Sequence, residues 1–161
     1  MIFLFDMDGV IADWELAFIE LFDDPKTMSK DELDEKKKFI STIDFYKNLS
    51  VIEDGIALMK YCATLGEIQI LTSVGKFNSE SVAKQKQEWL KKVLGYNIKF
   101  NYTQSSEEKA RYANSNTILV DDRLKAIVPF MAAGGNAVLY TNYKDTKAII
   151  DQALLIGADV A

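Results

Sequence analysis

The sequence predicts an α/β protein, a doubly wound parallel sheet carrying a small helical cap inserted after the first strand. Three observations carry that expectation. Ile2 to Phe5 is a short, wholly apolar run rich in β-formers, as in a strand buried on both faces of a parallel sheet. Thr117 to Val120 is a second such run, and both end abruptly in paired acids, Asp6 with Asp8 and Asp121 with Asp122. Between and after them, apolar strand-like runs alternate with amphipathic helical stretches, the pattern of right-handed crossovers.

Taken in order, Asp6 and Asp8 lie two apart and in extended backbone point the same way, while Gly9 lets the chain turn at once. Trp14 to about Asp23 has helical apolar spacing, and Asp24-Pro25 stops it. Ser29-Lys30-Asp31-Glu32 has the form of a capping box opening a charged helix whose outer face is solvated. Phe39 to Leu49 adds apolar residues but no strand, so residues 14–53 are assigned to the cap and residues 1–13 and 54–161 to the core. Asp54 is placed to cap a helix from Gly55 to about Thr64, with Gly66 as its stop. Ile68 to Leu71 is the next strand, ending in Thr72-Ser73 beside a turn that contains Gly75. Asn78 to Leu94 reads as a helix closed by Gly95, and Ile98 to Tyr102 as a third strand. Ser105 or Ser106 caps a short helix carrying Lys109. Gly134-Gly135 leads into a last strand, Ala137 to Tyr140, and Lys144 to Leu155 closes the chain as an amphipathic helix.

Composition bounds the function. At 161 residues the chain builds one well-buried core, and 48% hydrophobic with 27% charged residues is ordinary for a globular protein. No apolar run approaches the ~18 residues that cross a bilayer, and Asp6 interrupts the N-terminus too early for a signal peptide, so a cytoplasmic protein with no membrane partner is expected. The single Cys62 has no disulfide partner within the chain. The absence of histidine excludes Ser-His and Cys-His nucleophile pairs, leaving carboxylates, lysine and hydroxyls to do any chemistry. A net charge of −5 argues against a broad nucleic-acid surface yet suits a small phosphate ester approached through a metal. Two carboxylates at the end of a buried strand repel each other, and a divalent cation offsets that repulsion, so a magnesium site is expected at Asp6 and Asp8. Two acid-tipped strands, distant in sequence but adjacent in a parallel sheet, converge their carboxylates on one ion.

Phe5-Asp6-Met7-Asp8-Gly9-Val10 resembles the first motif of the haloacid dehalogenase superfamily of phosphohydrolases. The longer string through Asp13 and Trp14, with Leu-Thr-Ser at residues 71–73 and Val-Asp-Asp-Arg at 120–123, is similar more narrowly to the 5'(3')-deoxyribonucleotidases. The resemblance spans the chain apart from the cap, which is smaller than that family's. It implies Asp6 as the nucleophile of an aspartyl-phosphate mechanism and Asp8 as general acid and base, its carbonyl facing the metal. It implies Mg²⁺ held by Asp6 and Asp121, with Asp122 as support or alternative ligand. It further implies a transferring phosphate held by Thr72, Ser73 and Lys109, the last preferred over Lys84 and Lys86 as the third-motif lysine. Trp14, Phe45 and Tyr46 are candidates to stack on a nucleobase or, equally, to fill the cap's core. The expected partner is a phosphate monoester, first a nucleoside monophosphate, then a sugar phosphate or a polynucleotide 3'-phosphate. A non-catalytic Mg²⁺ or phosphate-binding module is the remaining alternative. A homodimer is compatible with the sequence, which leaves oligomeric state open.

Overall fold

The computed structural model describes residues 1–160. Five parallel strands, β1 (Ile2–Phe5), β2 (Glu67–Ser73), β3 (Lys99–Thr103), β4 (Thr117–Asp121) and β5 (Asn136–Leu139), form one sheet in the order β3-β2-β1-β4-β5. The chain winds outward from β1 through β2 to β3, then crosses back to β4 on the other side of β1. The strand order therefore reverses between β1 and β4, and the crevice beyond their carboxyl ends is where open α/β sheets place ligands.

Alternation of side chains divides the core into two layers. Phe3, Phe5, Ile70, Ile118 and Val120 pack on one face against α3 (Glu53–Ala63), α4 (Ser79–Leu94) and α6 (Tyr143–Val160). Leu4, Leu71 and Leu119 pack on the other against α5 (Leu124–Ala132). Phe3, Leu4 and Phe5 are all buried, as the apolar opening run requires. The α5 helix contains Pro129 and has no counterpart in the sequence reading.

Between β1 and α3 the chain forms α1 (Trp14–Leu21), α2 (Lys30–Ile40) and short 3-10 turns at Pro25–Thr27 and Tyr46–Asn48, with no strand. Ser29 caps α2 as expected, its Oγ accepting from the Glu32 amide at 3.2 Å. Asp13 caps α1 in the same way, through the Leu16 amide. Chain entry and exit of this insertion are held side by side: Asp13 N–H donates to the Ser50 carbonyl at 2.9 Å, and Ile52 N–H to the Ile11 carbonyl at 2.8 Å. The insertion has no core of its own. Phe18, Ile40, Phe45, Tyr46 and Leu49 belong to the same buried cluster as the sheet and α4. Gln85 and Trp89 of α4 reinforce the join, accepting from the Tyr46 amide and donating to the Ile43 and Leu49 carbonyls.

One local expectation is corrected. Asp54 does not cap α3, whose first turn lacks a side-chain cap; its Oδ2 accepts instead from the Tyr143 amide at the start of α6. The short helix expected after Ser105 is a 3-10 helix at Glu107–Tyr112, and Ser105 Oγ accepts from the Glu108 amide.

Candidate active site

The parallel register between β1 and β4 pairs Phe5 with Val120, and the Asp6 amide donates to the Val120 carbonyl at 3.0 Å. The next residue of each strand is an aspartate, so sheet geometry alone sets Asp6 beside Asp121. Asp122 follows directly, and one carboxylate oxygen from each of Asp6, Asp121 and Asp122 lies within 4.8 Å of the others. Three acids are thereby gathered from two strand ends, without Asp8.

Lys109 neutralises part of this charge. Its Nζ lies 2.9 Å from Asp6 Oδ1 and 2.7 Å from Asp121 Oδ2, with all three side chains buried. Burial works against the ammonium, but Asp6 and Asp121 outweigh it and hold its pKa above the ordinary lysine value. Lys109, which the resemblance gives as the third-motif lysine, grips the carboxylates rather than lying free. Asp121 is also held by the Arg123 amide, which donates to Oδ1 at 3.0 Å.

Asp8 stands on the turn after β1. Gly9 takes φ +83°, and the Val10, Ile11 and Ala12 amides all converge on the Met7 carbonyl. A Cβ at Gly9 would collide with the Asp122 carboxylate, so glycine here serves a close approach as well as a left-handed backbone. Asp8 Oδ2 accepts from Lys86 Nζ at 2.7 Å. That ammonium also donates to Thr72 Oγ1 at 2.8 Å and the Ser73 carbonyl at 3.0 Å, spending all three of its protons. Lys86 is 1% exposed, and sequence reasoning passed it over in favour of Lys109. The signal was present: Lys86 falls among Val82, Trp89 and Leu90 on the apolar stripe of α4, where a surface lysine does not belong. Burial raises the pKa of Asp8, and the Asp6 charge adds to it, against the opposing pull of Lys86.

The structure separates the paired hydroxyls. Thr72 is wholly buried, turned to Lys86 and absent from the cavity wall. Ser73 does line the cavity, its Oγ donating to the Gln104 carbonyl at 3.1 Å. The expectation of Thr72 as a direct phosphate ligand is therefore corrected: its hydroxyl positions Lys86, and through it Asp8. Of the three aromatics, Trp14 and Tyr46 line the cavity. Phe45 packs edge-on to both and is buried behind them, because the shared core claims it.

The cavity above these groups has a volume of about 810 Å³. Asp6, Asp8, Lys109 and Asp122 line it, with Asp121 and Lys86 buried beneath; four carboxylates against two ammoniums leave a formal charge of −2. Burial and the Asp6 charge raise the pKa of both Asp121 and Asp122. Buried oxygens Asp8 Oδ1 and Asp122 Oδ1 have no hydrogen-bond partner. All-oxygen donors, excess charge and unpartnered carboxylate oxygens fit a hard divalent cation such as Mg²⁺.

Solved structures that share this fold include two bacterial hydrolases. One is a hydrolase from Streptococcus pneumoniae TIGR4, at TM-score 0.58 and 15% identity over 93% of this chain and 97% of that one. The other is a haloacid dehalogenase-like family hydrolase from Streptococcus pneumoniae, at TM-score 0.57 and 12% identity over 87% and 84% of the two chains. No family model and no curated protein sequence matches the chain.

Proposed function

We propose that this chain, folded as haloacid dehalogenase-like hydrolases are, is a Mg²⁺-dependent phosphomonoesterase acting on (deoxy)nucleoside monophosphates through an aspartyl-phosphate. The observation that carries the reading is the bridge of Lys109 between Asp6 and Asp121, with Asp122 alongside, at the reversal point of the sheet. Asp6, Asp121 and Asp122 are the side chains that would hold Mg²⁺, with the Asp8 carbonyl as the further ligand the resemblance implies. The ion would offset phosphate charge and screen the approach of an anionic nucleophile.

Asp6 attacks phosphorus, and the ester P–O bond breaks as Asp8 gives its proton to the leaving oxygen. Asp8, now a carboxylate, takes a proton from the water that attacks the acyl phosphate. The P–O bond to Asp6 then breaks, phosphate leaves, and both aspartates return to their starting states. A buried acid with a raised pKa suits the first half of this cycle, and the Lys86 ammonium, which favours its carboxylate, suits the second. Ser73 and Lys109 are within the cavity wall to meet phosphoryl oxygens. The nucleotide assignment rests on the motif resemblance and on Trp14 and Tyr46 facing the same cavity.

The test is phosphate release with Mg²⁺ from nucleoside 5'- and 3'-monophosphates, their deoxy forms and sugar phosphates, with Asp6→Asn as the blank. Selective release from deoxynucleoside monophosphates is expected. Release from sugar phosphates alone would keep the catalytic assignment and remove the base pocket; normal turnover by Asp6→Asn would remove the covalent scheme.

A further inference from the structure

The cavity wall outside the catalytic groups is basic on a chain that is acidic overall. Lys26, Lys30, Lys37, Lys76, Arg123 and Lys125 line it, against Glu15, Asp34 and Glu108. Some of these are spent locally: Lys26 pairs with Glu15, Lys76 with Asp34, Lys125 with Glu107 and Glu108 with Arg111. Among the described residues, Lys30, Lys37 and Arg123 have no carboxylate within 4.0 Å.

Two of these come from different parts of the fold and line the same cavity. Residues 30, 33, 34, 37 and 41 of α2 and its C-terminal cap share one helical face, and all five line the wall. Arg123 and Lys125 come from the end of β4 and the start of α5, beyond the acidic centre. Half-buried Lys37 has its pKa lowered by burial and by Arg123 and Lys125, with only Asp34 and Asp8 pulling the other way. Unpaired cations brought together from opposing elements repel, and an anion between them relieves that repulsion.

The charge count leaves room for a second anionic group. With the acidic centre at −2 before a divalent cation and neutral with it, a single phosphate monoester dianion faces a wall carrying six cations and three carboxylates. One dianion leaves positive charge unmatched.

We propose that Lys37 and Arg123, supported by Lys125, form a second anion subsite, which binds a second phosphate where the phosphomonoester carries one. The inference deepens the phosphomonoesterase reading and rests on it for the position of the first phosphate. Arginine's planar fork suits a phosphate's paired oxygens, and Lys37 completes the pocket as a point charge from the insertion.

The experiment measures binding apart from turnover. Calorimetric titration of the Mg²⁺-loaded Asp6→Asn protein compares a nucleoside 3',5'-bisphosphate with the matching 5'-monophosphate, and a sugar bisphosphate with its monophosphate. At least a tenfold preference for a bisphosphate is expected, falling below threefold when Lys37→Gln or, separately, Arg123→Gln is added. Preference in the nucleoside pair alone places the second phosphate on a nucleotide, and preference in the sugar pair alone on a sugar; either supports the subsite. Equal affinity within both pairs overturns it, as does a preference that both substitutions leave intact. Phosphate release by the wild-type protein is read in parallel. Tight bisphosphate binding without release removes the hydrolase and keeps the subsite, whereas release from monophosphates with no bisphosphate preference does the reverse.

Discussion

Replacing Lys86 with methionine tests the least expected part of the site. The substitution keeps the length and apolar stem that pack beside Val82 and Trp89, and deletes an ammonium 2.7 Å from Asp8 Oδ2. At that separation and an effective dielectric of 20, the pair's attraction is about 6 kcal/mol. Asp8 is 28% exposed at its side chain, so water screens part of it, and desolvation of both ions offsets more. Removing one partner of a buried pair costs about 3 to 5 kcal/mol, and partial exposure places this case near the lower end, about 3 kcal/mol. Thr72 Oγ1 and the Ser73 carbonyl lose a donor in the same step. For a chain of this size the loss is a fall in Tm of about 6 to 12 °C. Asp8, already raised by burial, moves further up without its counter-ion. The limb of the pH–rate profile that needs ionised Asp8 therefore shifts to higher pH. Urea unfolding of the metal-free protein and a pH profile on an aryl phosphate read the two effects. A loss under about 1 kcal/mol together with an unmoved profile would refute the claim that Lys86 sets the protonation of Asp8.

Two further outcomes follow from the crowding of acids. Gly9→Ala forces a left-handed φ of +83° on a residue with a Cβ and drives that Cβ into Asp122, so Mg²⁺ affinity should fall by roughly tenfold while the fold is kept; an unchanged Mg²⁺ dependence of activity would show that Asp122 does not contribute to the ion site. Asp121 and Asp122 have folded pKa values raised above 3.8, so their contribution to stability is full below that value and is lost as pH rises through the raised values. Thermal melts in a chelator should accordingly weaken from about pH 5 to about pH 8, and Mg²⁺ should flatten that slope by occupying the carboxylates. A chelated protein equally stable across the range, with or without Mg²⁺, would contradict the arrangement.

The sheet and the acidic centre were legible because both follow from short-range rules. An apolar run with an acid at its end marks a strand and its functional tip, and parallel register does the rest, bringing Asp6 and Asp121 together without further information. What the sequence hid was direction. Thr72 and Ser73 are neighbours at one strand end, yet alternation sends the first into the core against Lys86 and the second toward the cavity. Trp14, Phe45 and Tyr46 are equivalent as letters, but only tertiary packing decides that Phe45 is walled off. Asp54 offered a cap to its own helix and was taken by α6, a contact between residues 89 apart in the chain. The helix α5 escaped notice because Pro129 lies inside it.

The shared core beneath the insertion governs how this site can change. A roof with its own core could be traded for another between related folds and bring a new specificity with it. Here the underside of the roof is Phe18, Ile40, Phe45 and Leu49, continuous with Ile70 and Trp89, and it is tied to α4 through Gln85. Exchange of the whole segment would strip the main core with it. The cavity wall can be altered instead by single replacements on the α2 face at residues 30, 34 and 37, which lie outside the apolar cluster below. Cavity wall and core contact are divided between two sides of one eleven-residue helix.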